Sequence, residues 1–224
     1  MRDATALHVL RVFTDERAEH GNPLGVFLEG GEIPGPERQA IATELGFSET
    51  VFVDDPERGL IQMFTPAAEI PFAGHPTVGT AWLLARERSP VAVLRPPPGE
   101  VGVRHGDELT WVDARAEWCP PFEYAEHPDA AAVEALDPAD TEADTYHWAW
   151  RDRDAGLVRA RGFYPHHAIR EDEATGSAAL ALCVALGRPI EVRQGRGSVI
   201  HARPTGDGRA EIGGRVVLDE VRER

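Results

Sequence analysis

The sequence predicts an α+β protein of two similar domains, each wrapping sheet around one buried helix. Two helical stretches carry that prediction. Val78 to Ala85 is apolar almost all the way round, and so is Ala178 to Gly187. A helix without a polar face has to be buried. Each is preceded by a strand-like run and a small-residue turn: Leu60 to Thr65 then Ala73-Gly74, and Arg159 to Tyr164 then Thr175-Gly176-Ser177. Gly74 and Gly176 stand close to half a chain length apart. Strand, glycine turn and buried helix therefore occur twice.

The remaining elements follow in order. Leu7 to Val12 alternates and is rich in β-formers, and Glu19-His20-Gly21-Asn22-Pro23 is a turn before a second strand, Leu24 to Leu28. Pro36 to Leu45 is a helix with proline in its opening turn and Gly46 as its stop. Phe47 to Val53 is the next strand, with Val51 and Val53 on one face and Ser48, Thr50 and Phe52 on the other. After Arg95 to Gly99, Val101 to Val103 and Leu109 to Val112 form a hairpin. Residues 114–145 are rich in Ala, Asp, Glu and Pro and are expected to connect the domains, with one helix near Ala130 to Leu136. Two strands up to Tyr164 precede the second helix, and short strands follow it. The division falls at 1–113 and 114–224.

Composition narrows the function. The 224 residues carry a net charge of −15, and all 23 basic residues are Arg. A negative field disfavours nucleic acid and anionic membranes, and a chain without Lys has no Schiff-base chemistry. No apolar run approaches the roughly 20 residues of a membrane span. Met1 to Ala6 lacks the apolar core of a signal peptide, so a cytoplasmic location is expected. The two cysteines, Cys119 and Cys183, make neither a CxxC nor a His/Cys cluster. No disulfide framework, metal site or cofactor is expected.

The candidate site starts at Gly74-His75-Pro76. Pro76 suits a first helical turn, so His75 sits at the mouth of a buried helix, where free amides and the dipole favour an anion. Gly176 and Ser177 make a matching mouth in the second half. Together they suit a small acid held without a cofactor. The dipole also disfavours protonation of His75, leaving a neutral imidazole to orient the ligand. By itself, Glu49 reads as a solvated edge carboxylate, Asp172 as part of a solvated acidic triplet with Glu171 and Glu173, and Asn22 as a turn residue. His166 and His167 are adjacent and point to opposite faces of any strand, so they cannot share an ion. Arg193, Arg196 and Arg203 could line the cleft or the surface.

Five stretches then converge on one family. Gly21 to Val26, Gly46 to Phe52, Phe64-Thr65-Pro66 with Glu69, Phe72 to Thr80, and Glu171 to Ala179 together resemble the phenazine-biosynthesis isomerase (PhzF-like) family. The resemblance implies the diaminopimelate-epimerase fold: two domains of β-barrel type, each around a central helix, with the site between them. It implies that Glu49 is the proton shuttle, that His75 and Asp172 assist it, and that Gly74, Gly176, Ser177 and Asn22 meet a small carboxylic acid. It also implies a homodimer. The chain departs from the family in three places. The stretch between Pro120 and Phe163 is several dozen residues shorter, Glu173 replaces a usual Pro, and Ala168 a common Gly. Epimerases of this fold place a thiol at each helix mouth, where this sequence has Ala73 and Thr175 and no cysteine nearby. The expected reaction is therefore a double-bond shift through one carboxylate. An epimerase or lyase using the same cleft, or a non-catalytic relative that binds a small acid or a protein, are the alternatives.

Overall fold

The computed structural model describes residues 5–167 and 169–223. The expectations made at Met1–Ala4 and at Ala168 lie outside these residues. No described helix is long and apolar enough to cross a membrane.

In the first half, β1 (Ala6–Thr14) pairs antiparallel with β2 (Asn22–Phe27). The chain crosses over through α1 (Gly35–Leu45) and returns as β3 (Glu49–Asp55), parallel to β2. β4 (Leu60–Phe64) and β5 (Glu69–Ile70) extend this edge, and α2 (Gly74–Glu87) then packs on the sheet. Next come β6 (Val93–Leu94) and the antiparallel pair β7 (Val101–His105) and β8 (Thr110–Arg115).

The second half opens with β9 (Glu123–Glu126) and α3 (Ala130–Glu134). Then follow β10 (Thr145–Asp152), β11 (Leu157–Tyr164) and β12 (Ile169–Asp172). α4 (Gly176–Leu186) leads into β13 (Ile190–Gln194), β14 (Ser198–Gly206) and β15 (Arg209–Glu223). Among the described residues, 15 strands join in one sheet. β15 ties it together. Its first residues lie between β14 and β8, and its later ones pair with β1. β8 thus hydrogen-bonds to the last strand of the chain, and that strand closes the sheet of the first half.

Two local differences from the sequence expectation have tertiary causes. Residues 123–126 form a strand although 114–145 reads as connecting chain, because the segment pairs in parallel with β10. Pairing decides strand formation more than intrinsic preference does. Residues 169–172 likewise join β11 as β12, so the turn before α4 begins only after Asp172.

The alternation of β1 to β3 sorts side chains to two cores. Leu10, Val12, Leu24, Val26, Val51 and Val53 join α2 in the main cluster, which also takes in Val78, Leu83, Ala178 and Leu182. Leu7, Val9, Phe27 and Phe52 face the other way, towards Ala42 of α1. Phe27 and Phe52 stack there at 5.1 Å between ring centroids.

α2 and α4 meet N-terminus to N-terminus. A Cβ on Gly74 would lie 2.7 Å from the Gly176 carbonyl carbon and 2.8 Å from the Ser177 amide, and a Cβ on Gly176 would come within 3.0 Å of the His75 amide. The Ser177 hydroxyl accepts from the Gly74 N–H at 3.0 Å. Phe13, buried and held at φ 68 in the irregular end of β1, lies against Gly176. Backbone faces backbone here, so neither helix can yield to an added methyl. Gly74→Ala should lower stability by about 2 kcal/mol, the usual cost of overpacking, read as a fall in the urea midpoint. An unchanged midpoint would mean that the mouths separate freely.

Candidate active site

Glu49 is the first residue of β3, paired with Leu24 of β2. His75 is the second residue of α2, and the packing of the helix against β2 brings its ring to that edge. Glu49 Oε2 and His75 Nε2 face each other at 3.3 Å. Both atoms are buried and neither has another hydrogen-bond partner. The remaining ring nitrogen bonds to the Pro23 carbonyl. That carbonyl can only accept, so the proton of a neutral imidazole sits on the Pro23 side and Nε2 offers a lone pair to Glu49.

Burial sets the charge states. It pushes the Glu49 carboxyl up to about 7 against the lowering effects of Ser48 and His167, and it pushes His75 down to about 4. Between those values the shared proton belongs on the carboxyl, donating towards Nε2. The Glu49 side chain keeps 16 % exposure and that of His75 only 4 %, so Glu49 is the member that outside molecules can reach.

Asp172 ends β12 and is buried with both oxygens occupied. Oδ1 accepts from Asn22 Nδ2 at 2.7 Å and Oδ2 from the Thr175 hydroxyl at 2.6 Å. Asn22 also donates to the Ala174 carbonyl at 3.0 Å and accepts from the Ser48 hydroxyl at 3.3 Å. A chain of contacts therefore runs from Glu49 through Ser48 and Asn22 to Asp172. Burial, then the charge of Glu49, raises the Asp172 pKa, while His75, Thr175 and Asn22 oppose that rise.

The structure brings Glu49, His75, Asn22, Asp172, Gly74, Gly176 and Ser177 into one region. Glu173 turns away and accepts from the Arg196 amide and the Ser198 hydroxyl. Arg193, Arg196 and Arg203 lie elsewhere, in ion pairs with Glu16 and Glu191, Glu173, and Glu211 respectively. His166 and His167 both approach Asp144, at 3.6 and 3.2 Å.

Sequence reasoning missed three participants. Cys119, expected to stand apart, bonds to Ser177 at the mouth of α4, because the short 116–118 turn packs on that helix; burial pushes its thiol up to about 12, so it is neutral. Gln194 is fully buried beside Thr175, and Tyr164 bonds to the Thr175 hydroxyl. Gln194 had a legible signal. Period-two alternation places it on the face of Ile190 and Val192, a polar residue in a core position. As for metals, Asp15, Glu19 and His20 are the one described group with three ligand atoms within 4.8 Å of one another. It includes no member of this set, and Asp15 Oδ1 already accepts from the Arg17 and Glu19 amides.

Comparison with known proteins bears on the family and the fold. The family model for phenazine biosynthesis-like proteins (PhzC-PhzF) matches residues 10–151. A trans-2,3-dihydro-3-hydroxyanthranilate isomerase from Pseudomonas fluorescens is 31 % identical over 85 % of this chain and 87 % of its own. The enzyme of the same name from Pseudomonas aeruginosa is 30 % identical over 89 % and 90 %. The first alignment runs over 243 residues while covering only 85 % of the present 224, so it holds gaps in this chain, consistent with a shortened member. In structure, a PhzF-family protein from Enterococcus faecalis superposes with a TM-score of 0.78 over 99 % of both chains at 22 % identity. A hydroxyproline epimerase from Agrobacterium vitis shares the fold at 0.63, 13 % identity, and 99 % and 92 % coverage.

The charge states of the pair make stability depend on pH. The folded value of Glu49 lies above its ordinary 4.5, so the stability it contributes is present below 4.5 and lost as pH rises through 7. His75 lies below its ordinary 6.5, so its contribution is present above 6.5 and lost as pH falls through 4. The two slopes oppose each other between 4.5 and 6.5. Glu49→Gln removes one of them. Urea unfolding should show the variant gaining about 3 kcal/mol on the native protein between pH 5 and pH 8; parallel curves would mean that Glu49 titrates as an ordinary carboxyl. With the family model, the fold and relatives of 30 % identity or more over most of the chain in agreement, the chain belongs to the phenazine biosynthesis-like PhzC-PhzF family and is an isomerase.

Proposed function

We propose that the protein is a cofactor-independent isomerase of a small carboxylic acid, with dihydro-hydroxyanthranilate as the type substrate. The observation that carries this reading is the isolated Glu49–His75 contact, in which a carboxyl with a pKa near neutrality faces a neutral imidazole. A base near the working pH can both take and return a proton. Ionised Glu49 removes a proton from a carbon of the substrate, and the electron pair left behind becomes part of a shifted double bond. The far carbon of the displaced double bond takes the proton back from Glu49. Atoms and charge balance, and no oxidant or metal enters. His75 orients the carboxyl, and Asp172 holds a polar group of the substrate directly or through Asn22.

The substrate carboxylate belongs near the two helix mouths. Neither Ala73 nor Thr175 caps its helix with a side chain, so the positive dipole ends lack that compensation. Gly74, Gly176 and Ser177 are accordingly read as substrate-binding, with Ser177 also bracing the mouths against each other. In this reading residues 1–113 and 114–224 are two lobes, stitched by β8 and β15, that close on the substrate and exclude water. The active form is a cytoplasmic homodimer.

Incubation with trans-2,3-dihydro-3-hydroxyanthranilate in D2O, followed by ultraviolet absorbance and mass spectrometry, tests the mechanism. Native protein should turn the acid over and incorporate deuterium at the new C–H position. Glu49→Gln should lose roughly 10²- to 10⁴-fold in kcat, the range for a general acid–base group. Equal turnover by the variant sinks the role of Glu49, and no turnover by native protein sinks this substrate class.

A further inference from the structure

Thr175 occupies the mouth of α4, yet its hydroxyl does not cap the helix. It is engaged on every side. It accepts from Gln194 Nε2 at 2.8 Å and from the Tyr164 hydroxyl at 3.0 Å. With its acceptor capacity filled, its own proton goes to Asp172 Oδ2 at 2.6 Å. Gln194 is itself fixed. Its Oε1 accepts from the Thr175 amide and the Tyr146 hydroxyl, both at 3.0 Å, and its Nε2 also reaches the Asp172 carbonyl at 2.9 Å. These assignments leave the amide one possible orientation, because reversing it would point donors at donors.

The fold reserves room for the network. Gly162 of β11 is the register partner of Asp172 on β12. A Cβ there would come within 2.5 Å of the Tyr164 hydroxyl oxygen and 3.0 Å of Thr175 Oγ1. Its backbone is ordinary strand, so space and not conformation calls for glycine.

We propose that Thr175, locked by Gln194 and Tyr164, is a positioning residue that fixes the Asp172 carboxylate as a hydrogen-bond acceptor. The Tyr164 hydroxyl and Gln194 Nε2 donate to Thr175, and the Thr175 hydroxyl and Asn22 donate on to the Asp172 carboxylate, whose oxygens only accept. Asp172 is thereby separated in role from Glu49, whose facing oxygen has no donor, and it stays ready to receive a donor from the substrate. The idea rests on the isomerase reading for its catalytic consequence, but its structural content stands without it. The titratable groups around Asp172 are Glu49 on β3, His75 on α2, Tyr146 on β10 and Tyr164 on β11.

The test is a 13C NMR titration of the Asp172 carboxyl, assigned by its loss in Asp172→Asn. In Thr175→Val the midpoint should rise by about one pH unit, since a donor to the charged form is lost, and Thr175→Ser should restore it. If Thr175→Val does not fold, Tyr164→Phe carries the same test with a smaller rise in the same direction. On dihydro-hydroxyanthranilate, Thr175→Val should lower kcat by roughly tenfold with KM little changed, again rescued by Ser. An unmoved midpoint in the folded variants overturns the proposal. A moved midpoint in a protein that turns over no substrate upholds it and removes only the isomerase reading.

Discussion

Two helices that point their positive ends at each other inside one core create an electrostatic problem, and the site is built on it. α2 and α4 each carry about half a unit charge at the N-terminus, and their first residues touch through Gly74 and Gly176. Repulsion between those ends has to be offset nearby. The Ser177 hydroxyl takes up the Gly74 amide, and two carboxyl groups, Glu49 and Asp172, are buried in the same region, one brought by each half of the chain. Such a junction tolerates acids and disfavours protonated bases. His75 in the first turn of α2 is held neutral by its burial, against the pull of Asp172.

Within that shared field the two acids are treated differently. Asp172 has a donor on each oxygen, from Asn22 and Thr175. The Glu49 oxygen that faces His75 has only a lone pair opposite it. Burial raises both, opposed by Ser48 and His167 at Glu49, which reaches about 7, and by His75, Thr175 and Asn22 at Asp172. The two carboxyls thus differ in the donors that meet them, which is the basis for the different roles proposed for them. The one that can exchange a proton near neutrality is also the one with an exposed edge.

Much of this was legible in the chain, and the illegible part has a physical pattern. The two buried helices could be read because an apolar stretch without a polar face has only one place to go. Glu49 was less legible. Beside Ser48 and Thr50 it is indistinguishable from an edge carboxylate until the shared motifs select it. Residues 123–126 failed as a strand because what makes them one is β10 alongside, which no local pattern encodes. Cys119 failed for the same reason, its place at Ser177 being set by packing of the 116–118 turn on α4. Gln194 alone left a trace, as a polar residue in register with Ile190 and Val192.

The meeting of the two helix mouths also bears on the proposed single-carrier chemistry. Two equivalent helix mouths suit a reaction with two proton carriers, one on each face of the substrate. Here the mouth residues are Ala73 and Thr175. Ala73 offers no proton, and the Thr175 proton is committed to Asp172. Cys119 reaches the junction from outside the repeat, as a neutral thiol against Ser177. In the proposed reading the exchangeable carboxyl is Glu49, placed at the start of β3 and not at either mouth. A single carrier returns a proton to the face from which it took it. Stereochemical inversion at one carbon needs the opposite face, whereas movement of a proton between two carbons of one face does not.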